Sequence, residues 1–213
     1  MKPAIILGAG GHAKVLAEAL IQSGSEVLGF VTPDAVPEEE FFGYRILGDD
    51  DVVKTYNSDN IVLANGIGML PRQTLRWRLA AQMRKDGYSF VTVRHPSAIV
   101  SSDITLYEGV QVMAGAIIQP GCKIGQDSII NTGSQIEHDT TIGDQCHIAP
   151  GVTLSGEVHV GDNVHIGTGA QVIQGIKIGE GSVIAAGTTV YKDVPSGMMV
   201  RQQVRIVMEI LKD

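Results

Sequence analysis

The chain has 213 residues, 44% of them apolar and 18% charged, with aromatics at only 5% and 26 glycines. That excludes a disordered chain and leaves room for one large or two modest domains, packed from small and β-branched side chains with glycines at repeated turns. A formal charge of −7 excludes a broad polyanion-binding surface, so nucleic acid is not an expected partner.

The opening MKPAIILGAGGHAK gives a buried strand at Ile5–Leu7, a tight turn at Gly8–Gly11 and a helix from His12 to Ser23. Val15, Leu16, Ala19 and Leu20 fall on one helix face, and Gly24 and Ser25 end it. The apolar run Ala4–Leu7 is far too short to cross a bilayer and no signal-peptide cleavage pattern follows, so no membrane insertion and a cytoplasmic location are expected. A second strand at Val27–Val31 completes a βαβ unit, and a strand at Ile61–Ala64, a helix at Pro71–Lys85 and a strand at Phe90–Val93 repeat it. Residues 1–92 thus read as a small Rossmann-like domain.

Gly8, Gly10 and Ala13 satisfy G-x-G-x-x-[GA] between strand and helix, where backbone amides are offered to a phosphate. The motif alone admits a nucleotide-sugar diphosphate, a dinucleotide, or glycines that only permit the turn. A dinucleotide needs more chain than ninety residues and an acidic residue at the end of the second strand, where Val31-Thr32-Pro33-Asp34 stands.

From Ala98 the chain falls into sixteen blocks of six, AIVSSD to TTVYKD. The third place is aliphatic in every block, from Val100 to Val190, without insertion. The first place holds only Ala, Ser, Thr, Cys, Val or Ile, and the last is mostly Gly, Asp or Asn. Two inward residues two positions apart and a turn former describe a short strand and a corner. Three such strands make a triangular coil of eighteen residues, so residues 93–197 are expected to form a parallel β-helix of about five coils, stacked at roughly 4.8 Å. Antiparallel strands joined by hairpins of varying length would not keep one phase this long.

Cys122 and Cys146 both occupy inward small-residue places and read as core filler. His138 stands just before a corner, at an edge of the prism, and His147, immediately before Ile148, points outward. His159 and His165 read as surface residues. A metal site would need converging imidazoles; His147 and His165 stack eighteen apart, but no pair five residues apart accompanies them, so no metal is expected.

GAGGHAK in a ninety-residue βαβ domain, followed by RHPSAIV and the hexapeptides, resembles the hexapeptide-repeat sugar acyltransferases of the sialic-acid O-acetyltransferase type. It is still more similar to their relatives that N-acetylate nucleotide-linked 4-amino-4,6-dideoxy sugars, the bacillosamine and perosamine enzymes. The specific stretch is NTGSQIEHDTTIGDQCHIAPGVTLSG, Asn131 to Gly156. The resemblance implies a left-handed β-helix, acetyl-CoA as co-substrate, a homotrimer with its sites between subunits, and a nucleotide-linked amino sugar as acceptor. By the same resemblance His138 is the general base and Asp139 raises its basicity. Gly10, Gly11, His12, Asp34, Gly68 and Asn131 would bind the sugar nucleotide, and His147, Gly156, Thr168 and Ala186 acetyl-CoA. Gly156, one coil above His138, would let a ligand approach the backbone. The base assignment is chemically sound in itself, since a neutral imidazole with a carboxylate on its second nitrogen can accept a proton from an attacking amine or hydroxyl.

Two other readings keep the fold: O-acetylation of sialic acid or a related sugar, and a non-catalytic sugar-nucleotide scaffold. The sequence departs from the family in two places. Thr32-Pro33-Asp34 offers one acidic residue where two are usual, and the usual Gly-Asn-Pro-Ala tail is replaced by Arg201-Gln202-Gln203-Val204. Residues 198–213 read as a tail ending in an amphipathic helix, with Val204, Val207, Met208 and Leu211 on one side.

Overall fold

The structure, a computed structural model, describes residues 2–36 and 39–202. The amphipathic helix expected at the C-terminus lies, beyond Gln202, outside the described residues.

The first half is a five-stranded sheet. Strands β1 (Ala4–Leu7), β2 (Val27–Val31), β3 (Glu40–Phe41), β4 (Tyr44–Gly48) and β5 (Val62–Asn65) lie in the order β3-β4-β2-β1-β5, parallel except for the β3–β4 hairpin. Helices α1 (Gly11–Gln22) and α2 (Leu75–Lys85) cover it. The helix face differs from the expected one: Ala13, Leu16, Ala17, Ala19 and Leu20 are buried, whereas Val15 is exposed. Residues 71–72 form a turn and 73–74 are irregular, so α2 starts later than expected. The segment Phe90–Val93 is not a strand of this sheet. Phe90 makes a single bridge to Leu63, and Val93–Arg94 already pairs with the solenoid.

The second half is a left-handed parallel β-helix, as expected. Its eighteen two-residue strands run from β6 (Val93–Arg94) to β23 (Met199–Val200) and stack into three faces of seven, six and five strands. That is about six coils rather than five, because β6 extends the first coil and β23 the last. The seven-stranded face, here the junction face, includes β9 (Gln111–Val112), β12 (Ile129–Ile130), β15 (His147–Ile148) and β18 (His165–Ile166). The six-stranded second face includes β13 (Gln135–Ile136), and the five-stranded third face includes β14 (Thr141–Ile142).

The core of the prism is built from the first and third places of the repeat, including Cys122, Ile136, Cys146, Ile148 and Ile166. Each buried aliphatic of this kind contributes about 1.5–3 kcal/mol, and one truncated to Ala leaves a cavity that costs about 2–5 kcal/mol. The corners follow from backbone sterics. Every sixth residue from Gly109 to Gly187 has positive φ, including Asp127 (59°), Asp139 (58°), Glu157 (60°) and Asn163 (57°). Only Gly adopts that conformation freely, which explains why the last place is mostly Gly with Asp and Asn as the next choices.

The halves are joined by a buried ion pair. The Arg84 guanidinium on α2 grips the Asp127 carboxylate with two bonds of 2.7 and 2.8 Å, reaches Glu108 at 2.9 Å and lies over the Phe90 ring. Asp127 is buried, so removing Arg84 would leave an uncompensated charge. This contact seats the N-terminal sheet against one edge of the junction face.

Candidate active site

His138 and Asp139 form the corner between β13 and β14. The positive φ of Asp139 turns its carboxylate back, and Asp139 Oδ2 accepts a hydrogen bond from His138 Nδ1 at 2.9 Å. Because a carboxylate only accepts, Nδ1 carries the hydrogen and Nε2 presents a lone pair. The His138 side chain is 51% exposed, so the ring is open to solvent on one side. The bond to Asp139 raises the His138 pKa above its ordinary value.

Gly156 lies one coil above, as expected, and its missing side chain also leaves room for the His138 ring. A Cβ there would stand 2.5 Å from His138 Nε2 and 2.6 Å from Cε1. That space is taken up by the imidazole. Gly156 therefore places the ring.

The junction face gathers a second set of side chains. Parallel pairing stacks Gln111, Ile129, His147, His165 and Val183 in one outward column. His147 faces outward, yet the loop after β5 covers it. Its Nδ1 is 3.1 Å from the Met69 carbonyl and its Nε2 3.1 Å from Asn131 Nδ2. The carbonyl can only accept, and Asn131 Oδ1 already accepts from the Thr132 N–H. His147 is therefore the neutral Nδ1–H tautomer with both nitrogens occupied. Burial, then the neighbouring His165, pushes its pKa down to about 3. The ring meets His165 edge to face at 4.8 Å. His165 is not the surface residue expected. It is half-buried beside a cavity of roughly 190 Å³ that Leu70, Trp77 and Asn163 also line, and its Nδ1 is buried with no partner. Burial lowers its pKa as well.

His12, at the start of α1, reaches the same face and bonds Gln111. Gly68 passes close to its Cβ, while Gly10 and Gly11 border open space, so packing within the chain does not demand glycine at either. Asp34 is exposed in the turn after β2, beside an open groove of roughly 590 Å³ lined by Pro33, Gly48, Asp49 and Asp51. Thr168 and Ala186 are exposed and stack in another corner column, between the junction and second faces.

The expected residues therefore fall into separate groups within one chain. His138, Asp139 and Gly156 meet at the corner opposite the junction face. Gly10, Gly11, His12, Gly68, Asn131 and His147 cluster at the junction. Three residues that sequence reading passed over complete that cluster: Asn65, Arg76 and Gln111. Arg76 is buried, its Nη1 donates to the carbonyls of Asn65 and Ile67 at 2.7 Å, and its Nε and Nη2 have no partner. Reading the second place of every third block would have drawn Gln111 into one column with His147.

A prism of hexapeptide coils with an exposed His–Asp pair on one corner has the architecture of the hexapeptide transferases, and the comparisons with known proteins agree. Residues 121–156 and 157–192 match the bacterial transferase hexapeptide family, and residues 4–83 match the PglD N-terminal domain. No curated protein sequence matches the chain. Among solved structures, a perosamine N-acetyltransferase of Caulobacter crescentus in complex with CoA and GDP-perosamine is 37% identical, with a TM-score of 0.86 over 93% of each chain. The acetyltransferase domain of PglB from Neisseria gonorrhoeae, in complex with acetyl coenzyme A, is 28% identical, with a TM-score of 0.85 over 93% of this chain and 95% of that one. WeeI of Acinetobacter baumannii, at 23% identity and a TM-score of 0.83 over 93% and 96%, shares the fold.

The chain belongs to the hexapeptide-repeat sugar acyltransferases, in the branch of the perosamine and bacillosamine N-acetyltransferases. It is an acyl-CoA-dependent sugar N-acetyltransferase, and acetyl-CoA is its co-substrate. Among the described residues no group of three or more His, Cys, Asp or Glu is arranged to hold a metal, and no helix is long and apolar enough to cross a membrane.

Proposed function

We propose that the enzyme transfers acetyl from acetyl-CoA to the 4-amino group of a nucleotide-linked 4-amino-4,6-dideoxy sugar, with His138 as general base and no acyl-enzyme. The observation that carries this reading is the His138 geometry: Nδ1–H held by Asp139, Nε2 free, and the ring seated on Gly156. The amine lone pair attacks the thioester carbonyl while His138 Nε2 takes the proton leaving nitrogen. The C–S bond then breaks and CoA departs as the thiolate, to which the proton can pass. A cysteine nucleophile is disfavoured, since both thiols are buried and burial pushes Cys146 up to about 12.

In this reading residues 1–92 hold the sugar nucleotide through Gly10, Gly11, His12, Asp34, Gly68 and Asn131. Residues 93–197 carry catalysis, with acetyl-CoA along Gly156, Thr168, Ala186 and His147. His147 contributes packing rather than a donor to the acyl oxygen, because its Nε2 is an acceptor. One chain places His138 away from the junction cluster, so a neighbouring subunit completes each site, which supports a homotrimer. The bound GDP-perosamine of the Caulobacter enzyme supports an amine acceptor and a diphosphate-linked sugar.

The test is acetyl-CoA with GDP-, UDP- and CMP-linked 4-amino sugars and their 4-hydroxy counterparts, read by mass spectrometry. A 42-dalton gain confined to an amino sugar is expected, the mass an acetyl group adds when it replaces hydrogen. Acetylation of hydroxy sugars alone, or of none, contradicts the proposal. Light scattering should give three times the chain mass, and an active monomer contradicts the shared site.

A further inference from the structure

Gln111 belongs to the solenoid, yet its side chain ends in the cleft of the N-terminal sheet. Its Nε2 donates to the Asn65 carbonyl at 2.9 Å, wholly buried. A carbonyl oxygen cannot donate, so the amide nitrogen must lie on that side and Oε1 must be the atom 2.8 Å from His12 Nε2. An amide oxygen also only accepts, so Nε2 of His12 carries the hydrogen. The groups facing this ring are the Arg76 guanidinium from α2 and the His147 imidazole from β15, with no carboxylate among the described residues. Burial and then Arg76 push the His12 pKa down to about 4, so the ring is neutral at pH 7. Its Nδ1 is left with a lone pair and no partner among the described residues. Unlike Nδ1 of His165, it is not sealed from solvent. Gly10 and Gly11, just before His12 in the chain, border open space, and a side chain at Gly68 would meet the His12 Cβ at 3.8 Å.

We propose that Gln111 is a positioning residue that fixes His12 as the Nε2–H tautomer, so that Nδ1 is presented as an acceptor to a hydroxyl or N–H of the nucleotide-linked sugar. This rests on the reading that Gly10–His12 hold the sugar nucleotide. The consequence is that the catalytic half of the chain sets the hydrogen-bonding polarity of the binding half.

The test uses the full chain labelled with ¹⁵N-histidine, with long-range ¹⁵N–¹H correlation at pH 7 and His12 assigned through His12→Gln. The expected wild-type ring is neutral with hydrogen on Nε2. In Gln111→Leu the two tautomers should mix. With GDP-perosamine as probe, the sugar-nucleotide KM should rise about tenfold, the worth of one hydrogen bond, while kcat and the acetyl-CoA KM stay within about threefold. An Nδ1–H or charged ring in the wild type overturns the proposal, whether or not the variant folds. So does a Gln111→Leu variant that keeps one tautomer or impairs kcat and both KM values alike. An Nε2–H ring in an enzyme that turns over no sugar nucleotide refutes the reading of the cleft instead, and leaves the tautomer standing.

Discussion

At the corner between the second and third faces His138 stands open to solvent with a carboxylate on Nδ1, whereas on the junction face His12 and His147 are half-buried beside the Arg76 cation. The same side chain is pushed in opposite directions. Asp139 raises the His138 pKa, and burial drives His12 to about 4 and His147 to about 3. A nitrogen that must take a proton near neutrality needs the first environment. Rings that orient a neutral partner without gaining charge need the second. The solenoid builds both from one repeat because, among the described residues, only its junction face is covered by another part of the chain.

The sharpest way to break this contrast is at the corner. His138→Ala should lower kcat by about a hundred- to ten-thousandfold, the usual contribution of a positioned base, with an unchanged circular dichroism spectrum. Gly156→Ala should come next. Its Cβ would collide with Nε2 and push the ring aside, and a displacement of about 1 Å costs on the order of a hundredfold in rate. That loss should appear in kcat with little change in either KM. Asp139→Asn should cost less and move the pH profile. The base works only when neutral, so kcat/KM rises with pH through the His138 pKa. Removing the carboxylate lowers that pKa, and the acid limb should shift to lower pH. A limb that stays in place contradicts the pairing.

The smallest effects belong to the junction. Unfolded histidines protonate near pH 6.5, whereas folded His12 resists charging until about pH 4. The unfolded state therefore binds protons first, and stability present above pH 6.5 should be lost as pH falls toward 4. Each such ring costs about 1.4 kcal/mol per pH unit in that window. His12→Gln should flatten the dependence in thermal melts, and His138→Ala should not.

Much of the solenoid was legible because its period is strict. Third places such as Ile136 and Ile148 point inward on every face, and the corners need residues that tolerate positive φ. The His138–Asp139 pair was legible for the same reason, since phase alone sets it at a corner. The junction was not. Gln111 and His165 occupy the same outward place as Lys123 and Lys177, and the long-range docking of the N-terminal half, His12 and Asn65 at Gln111 and the Met69–Trp77 segment at His165, turns that place into an interior. The run Phe90–Val93 misled because its apolar pattern continues across the point where one sheet hands the chain to the next. The β3–β4 hairpin was missed because strands of two and five residues at a sheet edge carry little alternation.

The central claim is that a base exposed on one subunit serves a cleft on its neighbour. It is tested most directly by co-expressing two inactive chains, His138→Ala and Gly10→Trp, the latter filling space that the fold leaves open. Mixed oligomers should recover roughly a quarter of the wild-type activity, since a working site needs one intact contribution from each of two neighbours. Mixed oligomers with no activity would place the base and the cleft in the same chain and contradict the account.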